Sequence, residues 1–318
     1  MIYAPVLIPT VNRYQHFKDC IESLSRCTWA DKTDVYVAVD YPPSEKYWEG
    51  YKQIKDYLDN CGDLGFKSLN VKYRETNYFY TEKGNLGALI DEVEINYDRY
   101  IVSEDDNIFS PNFLVYIDKG LEKFKNDNSV FAINGYRHFY PIKYGNNTFY
   151  RQNVDFSAWG YGIWKDRTDS IEWFCNDNGF YKTFSFSKAK KMFKNGTNRF
   201  CGYLHLATKR KKEMITDNLL SIYMAIHDMD VVMPTISMVR NQGWDDSGIH
   251  CPTSDKELAE KHLKQEISYD VNFEYIGSGF EYYDENKKIY AKSSYVQLSF
   301  SKLIIFIIKF IIKRMLIF

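Results

Sequence analysis

Three carboxylate side chains follow one another in the middle of the sequence, at Glu104, Asp105 and Asp106. Neighbouring carboxylates repel one another, so such a run is costly unless a cation or solvent screens its charge. Mg²⁺ and Mn²⁺ prefer carboxylate oxygens and often bind through one or two of them together with substrate phosphates. The run therefore indicates a site for a divalent ion that stabilises a departing diphosphate. The alternative is an acidic, solvated surface turn.

The sequence on either side of the acidic run supports a cation-binding site as strongly as it supports a solvated surface turn. Residues 100–102 are apolar and predict a short buried strand that ends just before the run. Residues 111–124 predict a helix, with Ser110 as its N-cap and Pro111 in its first turn. The remainder of the chain moves the balance toward a site.

Strand and helix patterns alternate through the first part of the chain. Strands are predicted at residues 5–8, 34–39, 69–74, 100–102 and 130–133, and helices at 14–24, 44–58 (with Ser44 as N-cap), 86–95 and 111–124. This alternation predicts βαβ units and a mainly parallel sheet. Ligands of such sheets bind beyond the carboxyl ends of the strands. The candidate residues are the polar side chains that follow the strands: Thr10, Asn12, Arg13, Asp40, Glu75, Thr76, Asn77 and residues 103–106.

The second half of the chain has a different pattern. Residues 156–164 are rich in glycine and aromatic side chains, and helices are predicted at 188–194 and 214–227. Residues 243–251 predict a loop. Residues 252–301 are polar with weak periodicity, and we interpret them as a linker or small appendage between a domain of residues 1–251 and a C-terminal helix at 302–318.

Composition narrows the class of protein. A chain of 318 residues with 45% apolar side chains suits one large α/β domain with a substantial core. The net charge of −1 disfavours a nucleic-acid-binding protein. The cysteines form no Cys-x-x-Cys pair, which predicts reduced thiols in the cytoplasm and no zinc site. The first residues lack the basic and long apolar segments that are typical of a signal peptide.

Five stretches carry a resemblance to a known family. They are residues 6–24, E-K-G-N-L-G at 82–87, S-E-D-D-N-I-F-S-P-N-F-L at 103–114, F-S-A-W-G-Y-G-I-W-K-D-R at 156–167 and, more loosely, 241–251. Their order and spacing resemble bacterial GT-A glycosyltransferases of the family-2-like group, and the acidic motif is also similar to that of N-acetylglucosaminyltransferase I. The resemblance implies the GT-A, Rossmann-like fold of nucleotide-diphospho-sugar transferases. It also implies a hexosyl- or N-acetylhexosaminyltransferase that uses a nucleotide-sugar, a UDP-sugar by analogy.

The resemblance assigns roles to single residues. It implies that Asp106 holds Mn²⁺ or Mg²⁺, that Asp105 lies near the metal or the ribose, and that His250 completes the metal shell. It implies nucleotide contacts for the residues that match the family's strand ends and donor segment: Thr10, Asn12, Arg13, Asp40, Lys83 and Asn85. The chain departs from the commoner pattern with Thr10-Val11 before Asn12 and with Lys83-Gly84 before Asn85, which leaves the nucleotide contacts open.

Residues of the second half are candidates for the acceptor side. The resemblance implies that Asp217, at the start of a late helix, is the base of an inverting transfer; the alternative is a helix N-cap. Trp159, Gly160 and Tyr161 suit a wall against the donor or acceptor sugar, or a buried aromatic cluster. Asp245 is either an acceptor contact or an acid that shapes its loop, and His250 is either a ligand or a surface residue.

The C-terminal segment 302–318 is strongly apolar, and basic residues interrupt it. In a helix, Lys302, Lys309 and Lys313 fall on one face and the apolar residues cover the opposite side. Such a helix is too short and too charged to span a bilayer and suits the membrane interface, with its cations toward anionic headgroups. Packing on the protein or on a partner is the alternative. By analogy, such an anchor suits a cytoplasmic enzyme on the inner face of the cell membrane whose acceptor is a lipid-linked glycan in surface polysaccharide or lipopolysaccharide synthesis.

Other functions compete with glycosyl transfer. A sugar nucleotidyltransferase shares the α/β architecture, but the loop after the first strand lacks the glycines typical of that class. A glycoside hydrolase also uses paired acids, yet adjacent residues at a strand end flank a bond poorly. A non-catalytic glycan-binding protein on the same fold stays possible, since fold does not determine activity. The sequence leaves a homo-oligomer open.

Overall fold

The computed structural model describes nearly all of the first 139 residues and shorter stretches of the chain after them. It describes residues 1–79, 81, 83–139, 145–153, 155–169, 171, 184–195, 197–206, 216–247, 255–277, 280–281 and 299–317.

The predicted alternation of strands and helices is confirmed in the first part of the chain. Its elements are β1 (Val6–Thr10), α1 (Tyr14–Ser25), β2 (Asp34–Val39), α2 (Trp48–Asn60), β3 (Ser68–Tyr73), α3 (Gly84–Val93), β4 (Arg99–Val102), β5 (Asn107–Phe109), α4 (Phe113–Phe124) and β6 (Val130–Asn134).

Two predicted N-caps are wrong. Ser44 precedes a single 3₁₀ turn, Glu45–Tyr47, and α2 begins only at Trp48, without a side-chain cap. Ser110 lies in a turn ahead of α4, where its carbonyl accepts the N–H of Phe113 at 3.0 Å. Asn112 takes the cap position instead. In both cases a short turn absorbs the residues that the pattern assigned to the first helical turn.

The second part adds strands that the sequence pattern did not separate from loops. Its elements are β7 (Phe149–Gln152), β8 (Tyr161–Trp164), α5 (Lys165–Asp169), α6 (Phe186–Asn195), α7 (Thr197–Leu206), α8 (Thr216–His227), β9 (Asp230–Pro234), β10 (Val239–Asn241), α9 (Lys256–Leu263), β11 (Phe280–Glu281) and α10 (Phe300–Ile317). The helices predicted at 188–194 and 214–227 are thereby confirmed as α6 and α8, the latter from Thr216, since residues 214 and 215 lie outside the described residues.

Within the described residues the main sheet has nine strands in the order β3-β2-β1-β4-β8-β6-β9-β7-β11. Strands β3, β2, β1 and β4 run parallel, β8 is antiparallel to both of its neighbours, and β6 and β9 are parallel. A separate antiparallel pair joins β5 to β10. The chain therefore has the mixed α/β fold with a large, mostly parallel sheet that the sequence predicts.

The core fills both faces of the sheet. Successive strand residues point to opposite sides, so Val6 and Ile8 pack with α1, α2 and α4 while Leu7 packs with α3 and α8. All these strand residues are buried, as expected for a parallel sheet covered by helices on both sides. This two-sided burial fixes the strand ends and, with them, the loops at the carboxyl edge.

Residues 255–277, within the segment interpreted as a linker or appendage, are packed on the domain. The ring of Phe273 lies edge-on to Tyr116 of α4 at 4.9 Å, and the hydroxyl of Tyr275 donates to the carbonyl of Tyr116 at 2.9 Å. A Cβ at Gly120 would overlap the Tyr275 hydroxyl, so this close approach requires glycine. Ser268 also bonds to the backbone of Ser237 at 2.8 Å.

The C-terminal helix α10 lies against α7, and its Phe310 contacts Phe184 with 5.0 Å between ring centroids. Most of its other apolar side chains are exposed. Among the described helices, none is long and apolar enough to cross a membrane.

Candidate active site at the carboxyl edge of the sheet

The acidic run lies where the main sheet and the small β5–β10 pair meet. Strand β4 ends at Val102, residues 104–106 turn, and β5 begins at Asn107 opposite Asn241. This pairing brings β10 onto the motif: Asn241 Nδ2 donates to Asp106 Oδ1 at 2.6 Å, and the N–H of Gln242 donates to the Asp106 carbonyl at 2.8 Å. A Cβ at Gly243 would overlap Asp106 Oδ2, so glycine allows the loop to close over the carboxylate.

Arg13 joins the two aspartates. It lies between β1 and α1, and its guanidinium donates from Nη2 to Asp105 and from Nη1 to Asp106 Oδ2, the latter at 2.7 Å. Thr10, the last residue of β1, donates its hydroxyl to Asp105 Oδ2 at 2.7 Å. Asp105 and Asp106 are both buried, so these bonds supply the compensation that buried carboxylates need. Thr10, Arg13, Asp105 and Asp106, each predicted as a site residue, therefore form one cluster.

A second acidic pair lies beside this cluster. Burial, reinforced by the negative charges of Asp106 and Asp217, raises the pKa of Glu104 well above its ordinary value. Burial and the charge of Asp155 likewise raise the pKa of Asp217 to about 7, against a hydrogen bond from the backbone of Ala158. Asp217 is the second residue of α8 and makes electrostatic contact with Glu104 and Tyr161. It can exchange a proton near neutral pH, as a general base requires.

The predicted aromatic wall borders these acids. Tyr161 is buried at the start of β8, and Phe156 lies edge-on to it at 4.8 Å. Gly160 has a φ of 73°, and a Cβ there would stand 2.9 Å from Val239, so glycine is needed. Trp159 is partly exposed and lies edge-on to Tyr136 at 4.6 Å and to Trp244 at 6.3 Å.

Two residues that the sequence did not single out complete this wall. The indole of Trp244 stacks on the imidazole of His262 with centroids 4.1 Å apart and planes 4° from parallel. His262 belongs to α9 and bonds through Nδ1 to the Tyr136 hydroxyl at 2.7 Å. Burial lowers the pKa of His262 to about 4, so the ring is neutral at physiological pH. The glycine beside Trp244 was a sequence signal for a close approach, whereas His262 lies in a weakly patterned segment.

Asp245 fastens the loop after β10 to α1. Its carboxylate lies 2.9 Å from His16 Nε2 and accepts the N–H of Ser247 at 3.0 Å. Although burial opposes it, hydrogen bonds from Ser247 and the charge of His16 lower the pKa of Asp245. These bonds match the loop-forming alternative, and an acceptor contact for Asp245 stays a prediction. His250 lies outside the described residues.

The residues predicted to contact the nucleotide are spread along the same edge of the sheet, and they differ in the hydrogen bonds that they make within the protein. Asp40 accepts the backbone N–H groups of Tyr41 at 2.9 Å and Tyr78 at 2.8 Å, and burial raises its pKa against these bonds. Asn85 donates to the carbonyl of Ala38 at 2.8 Å and accepts from Arg74 at 2.9 Å. Both side chains therefore bind the ends of β2 and β3 to α3 and its preceding loop.

The two remaining predicted contacts are different. Lys83 is exposed and pairs with Asp91 on α3 at 2.6 Å. Asn12 is half-buried, and its backbone carbonyl lies so close to α2 that a Cβ at Gly50 would overlap it. The structure thus places Thr10 and Arg13 at the acidic motif, whereas Lys83 is engaged on the helix surface.

The metal expectation can be compared with the donor atoms at the motif. Each carboxylate oxygen of Asp105 and Asp106 already accepts a hydrogen bond, from Arg13 twice, Thr10 and Asn241. Within the described residues, no group of three His, Cys, Asp or Glu side chains is arranged to hold a metal ion. As the side chains stand, the motif does not fit a bare Mn²⁺ or Mg²⁺ ion, and the ion stays a prediction from the resemblance.

Comparisons with known proteins give distant structural similarities. No family model matches the sequence, and no curated protein matches it. Residues 1–349 of S. aureus TarS match with a TM-score of 0.41 at 10% identity, covering 74% of this chain and 59% of that chain. The same TarS fragment with UDP-GlcNAc gives 0.32 at 15% identity, covering 46% and 38%. The chain thus spans less than two thirds of the TarS structures it matches.

Two other proteins are also structurally similar to the chain. The glycosyltransferase GlyE of Streptococcus pneumoniae TIGR4 matches with a TM-score of 0.33 at 12% identity, covering 72% of this chain and 45% of that chain. A Bacillus anthracis protein named as a glucose-1-phosphate thymidylyltransferase, solved with a sucrose, gives 0.37 at 13% identity, covering 85% and 97%. The structural neighbours are thus glycosyltransferases and a nucleotidyltransferase, all of them distant.

Proposed function

We propose that this chain is an inverting glycosyltransferase that moves a sugar from a nucleotide-sugar, a UDP-sugar, onto a hydroxyl group of a glycan or lipid-linked acceptor. The observation that carries the proposal is Asp217, a recessed carboxyl with a pKa of about 7 that interacts with the acidic motif at the carboxyl edge of the sheet. This edge is where open α/β sheets bind their ligands.

The proposed reaction is a direct displacement. The acceptor oxygen forms a bond to the anomeric carbon, the bond from that carbon to the diphosphate oxygen breaks, and the nucleoside diphosphate leaves with the electron pair. Asp217 takes the acceptor proton, for which a pKa near the working pH is best suited. Inversion follows because attack and departure take place on opposite faces of the sugar.

The donor diphosphate is proposed to lie at the ends of β1 and β4. Arg13 supplies a permanent positive charge there, and the N–H groups that it does not donate to Asp105 and Asp106 can donate to phosphate oxygens. The partly exposed Trp159 and Trp244, the latter stacked on the buried ring of His262, offer flat apolar surface beside the motif. Such surface suits the apolar face of a sugar ring.

A sugar nucleotidyltransferase is the second candidate function. The need for a general base distinguishes the two reactions. Nucleotidyl transfer uses a sugar phosphate that is already ionised and needs no base, whereas an uncharged hydroxyl acceptor does. A donor screen should show release of UDP from a UDP-sugar, stimulated by an acceptor and lost in Asp217→Asn. Formation of a UDP-sugar from UTP and a sugar phosphate, unaffected by Asp217→Asn, would favour the nucleotidyltransferase.

We further propose that α10 binds the surface of an anionic membrane, which would place the enzyme beside a lipid-linked acceptor. Among the helix positions whose burial is described, Leu303, Ile307 and Phe310 are partly shielded by the protein. Lys302, Lys309 and Lys313 form a separate exposed stripe. A third face carries exposed apolar side chains: Ile304, Ile305, Ile308, Ile311, Ile312 and Met315. One face of the helix thus packs on the protein, and its apolar face and its basic face remain available for the membrane interface.

Co-sedimentation with phosphatidylglycerol vesicles tests the membrane proposal. Ile308→Glu with Ile312→Glu should release the full chain from the vesicles, because both positions are exposed and carry no core contact. Ile95→Glu is the matched control, since Ile95 is an exposed isoleucine that lies outside α10. Undiminished sedimentation of the double variant would contradict membrane binding through α10.

A further inference from the structure

The guanidinium of Arg13 bridges the two aspartates that the resemblance assigns to a divalent ion. It donates to one oxygen of Asp105 and to one oxygen of Asp106. The remaining oxygens accept from Thr10 Oγ1 at 2.7 Å and from Asn241 Nδ2 at 2.6 Å. A divalent ion binds by direct contact with carboxylate oxygens, so here it would have to share each of these oxygens with a protein donor.

The three donors differ in how readily they can leave. Thr10 ends the central strand β1, and Asn241 lies in the β5–β10 pair, so both are held by backbone pairing. Arg13 lies in the connection between β1 and α1 and carries a long side chain that is 20% exposed. On the other side, the backbone at Gly243 closes over Asp106 Oδ2. Arg13 is therefore the partner whose movement would open both carboxylates.

We propose that Arg13 and a divalent cation exclude one another at Asp105 and Asp106, with the guanidinium as the resident counter-ion. A cation that entered beside Arg13 would meet a fixed positive charge in a buried setting, where repulsion is weakly screened. Removal of Arg13 would instead leave two buried carboxylates without their charge partner, which a divalent ion would then compensate. The competition concerns the cation alone and is independent of the sugar or nucleotide that the site takes.

Binding of Mn²⁺ alone, followed by the electron paramagnetic resonance signal of the free ion, tests the proposal. Arg13→Gln should bind Mn²⁺ about tenfold or more tightly than the unaltered chain, because the competing charge is gone. Asp106→Asn in the Arg13→Gln background should abolish that gain. Lys18→Gln is the control, because it removes a positive charge from a partly exposed position on α1, the helix that follows Arg13, and should leave the affinity unchanged.

Equal Mn²⁺ affinity of Arg13→Gln and the unaltered chain would overturn the proposal, whether both bind or neither does. If Arg13→Gln does not fold, Arg13→Lys decides instead, since lysine keeps the charge but cannot bridge both carboxylates as a fork. The proposal then expects Arg13→Lys to bind Mn²⁺ several-fold more tightly than the unaltered chain. An unchanged affinity in that variant would contradict the exclusion.

Discussion

Replacement of Asp217 by asparagine should separate stability from activity. The carboxyl of Asp217 has a pKa of about 7 in the folded chain against an ordinary value of 3.8, because burial and Asp155 disfavour its charge. Between these values the folded state holds a proton that the unfolded state has lost, so stability falls as the pH rises. Asparagine is close in size and cannot ionise, and it should therefore remove this loss.

The magnitude follows from the two pKa values. A rise from 3.8 to about 7 corresponds to a full cost on the order of 4 kcal/mol once the group is ionised in both states. Part of this cost is already present at pH 5, so the share that develops between pH 5 and pH 8 is about 2–3 kcal/mol. Asp217 is partly accessible to solvent, which reduces the effect. We therefore expect the stability advantage of Asp217→Asn over the unaltered chain to be about 2 kcal/mol larger at pH 8 than at pH 5.

Asp118 provides a matched control. Burial raises its pKa to about 7 as well, and it accepts the backbone N–H of Ala4 at 3.0 Å. Ala4 precedes β1, so Asp118 lies toward the amino edge of the sheet, opposite the candidate site. Asp118→Asn should therefore show the same pH-dependent gain in stability with glycosyl transfer unchanged.

Urea unfolding at pH 5 and pH 8, together with transfer assays on the three proteins, gives the comparison. Asp217→Asn should lose about 10²–10⁴-fold in turnover, the range that general bases contribute. Transfer retained in Asp217→Asn would refute the assignment of the base. A stability difference that does not grow with pH would refute the electrostatic account of the pocket.

Three further results are expected. Gly243→Ala should weaken UDP binding in calorimetry by about tenfold or more, because the added methyl group overlaps Asp106 Oδ2. Unaltered binding would show that the loop after β10 is not part of the donor site. Gly120→Ala should lower the free energy of unfolding by about 1–3 kcal/mol in urea and expose residues 255–277 to proteolysis, because the methyl group overlaps the Tyr275 hydroxyl; a protected segment would count against the packing described. The chain should lose stability as the pH falls from 6.5 toward 4, because the pKa of His262 is lowered to about 4 in the folded state. Unfolding titrations of His262→Gln should show a shallower loss of stability with falling pH. An unchanged slope would assign the loss to other titratable groups.

The first half of the fold could be predicted because local pattern and tertiary structure agree there. The strands β1, β2 and β4 are mostly apolar and buried, with a polar residue only at one end, as is typical of parallel strands covered on both faces. The helices between them carry one apolar stripe. The sequence of strand β8 indicates only a glycine-aromatic segment, because its four residues are too few to show a period. It becomes a strand only through pairing with β4 and β6.

The candidate site could be predicted only in part, for a related reason. Thr10, Arg13 and the two aspartates follow strands, so the sheet assignment alone brings them to one edge. Asn241 and Gly243 reach Asp106 through a strand pairing more than 130 residues distant in sequence. The stacking of His262 on Trp244 depends on how α9 packs, which no local pattern in residues 252–301 indicates.

The same long-range pairing links the stability of the fold to the state of the site. Asp105 and Asp106 are buried, and their charges are satisfied by groups from β1, from the segment after it and from β10. If β10 were to detach from β5, Asp106 would lose the Asn241 bond and the cover of Gly243 together. A buried carboxylate without these partners is costly, so the chain gains stability by keeping the loop closed. A ligand that displaces the loop from Asp105 and Asp106 must therefore replace these bonds with its own. Binding of an anion or cation at the motif and the position of the loop are thus coupled in one equilibrium.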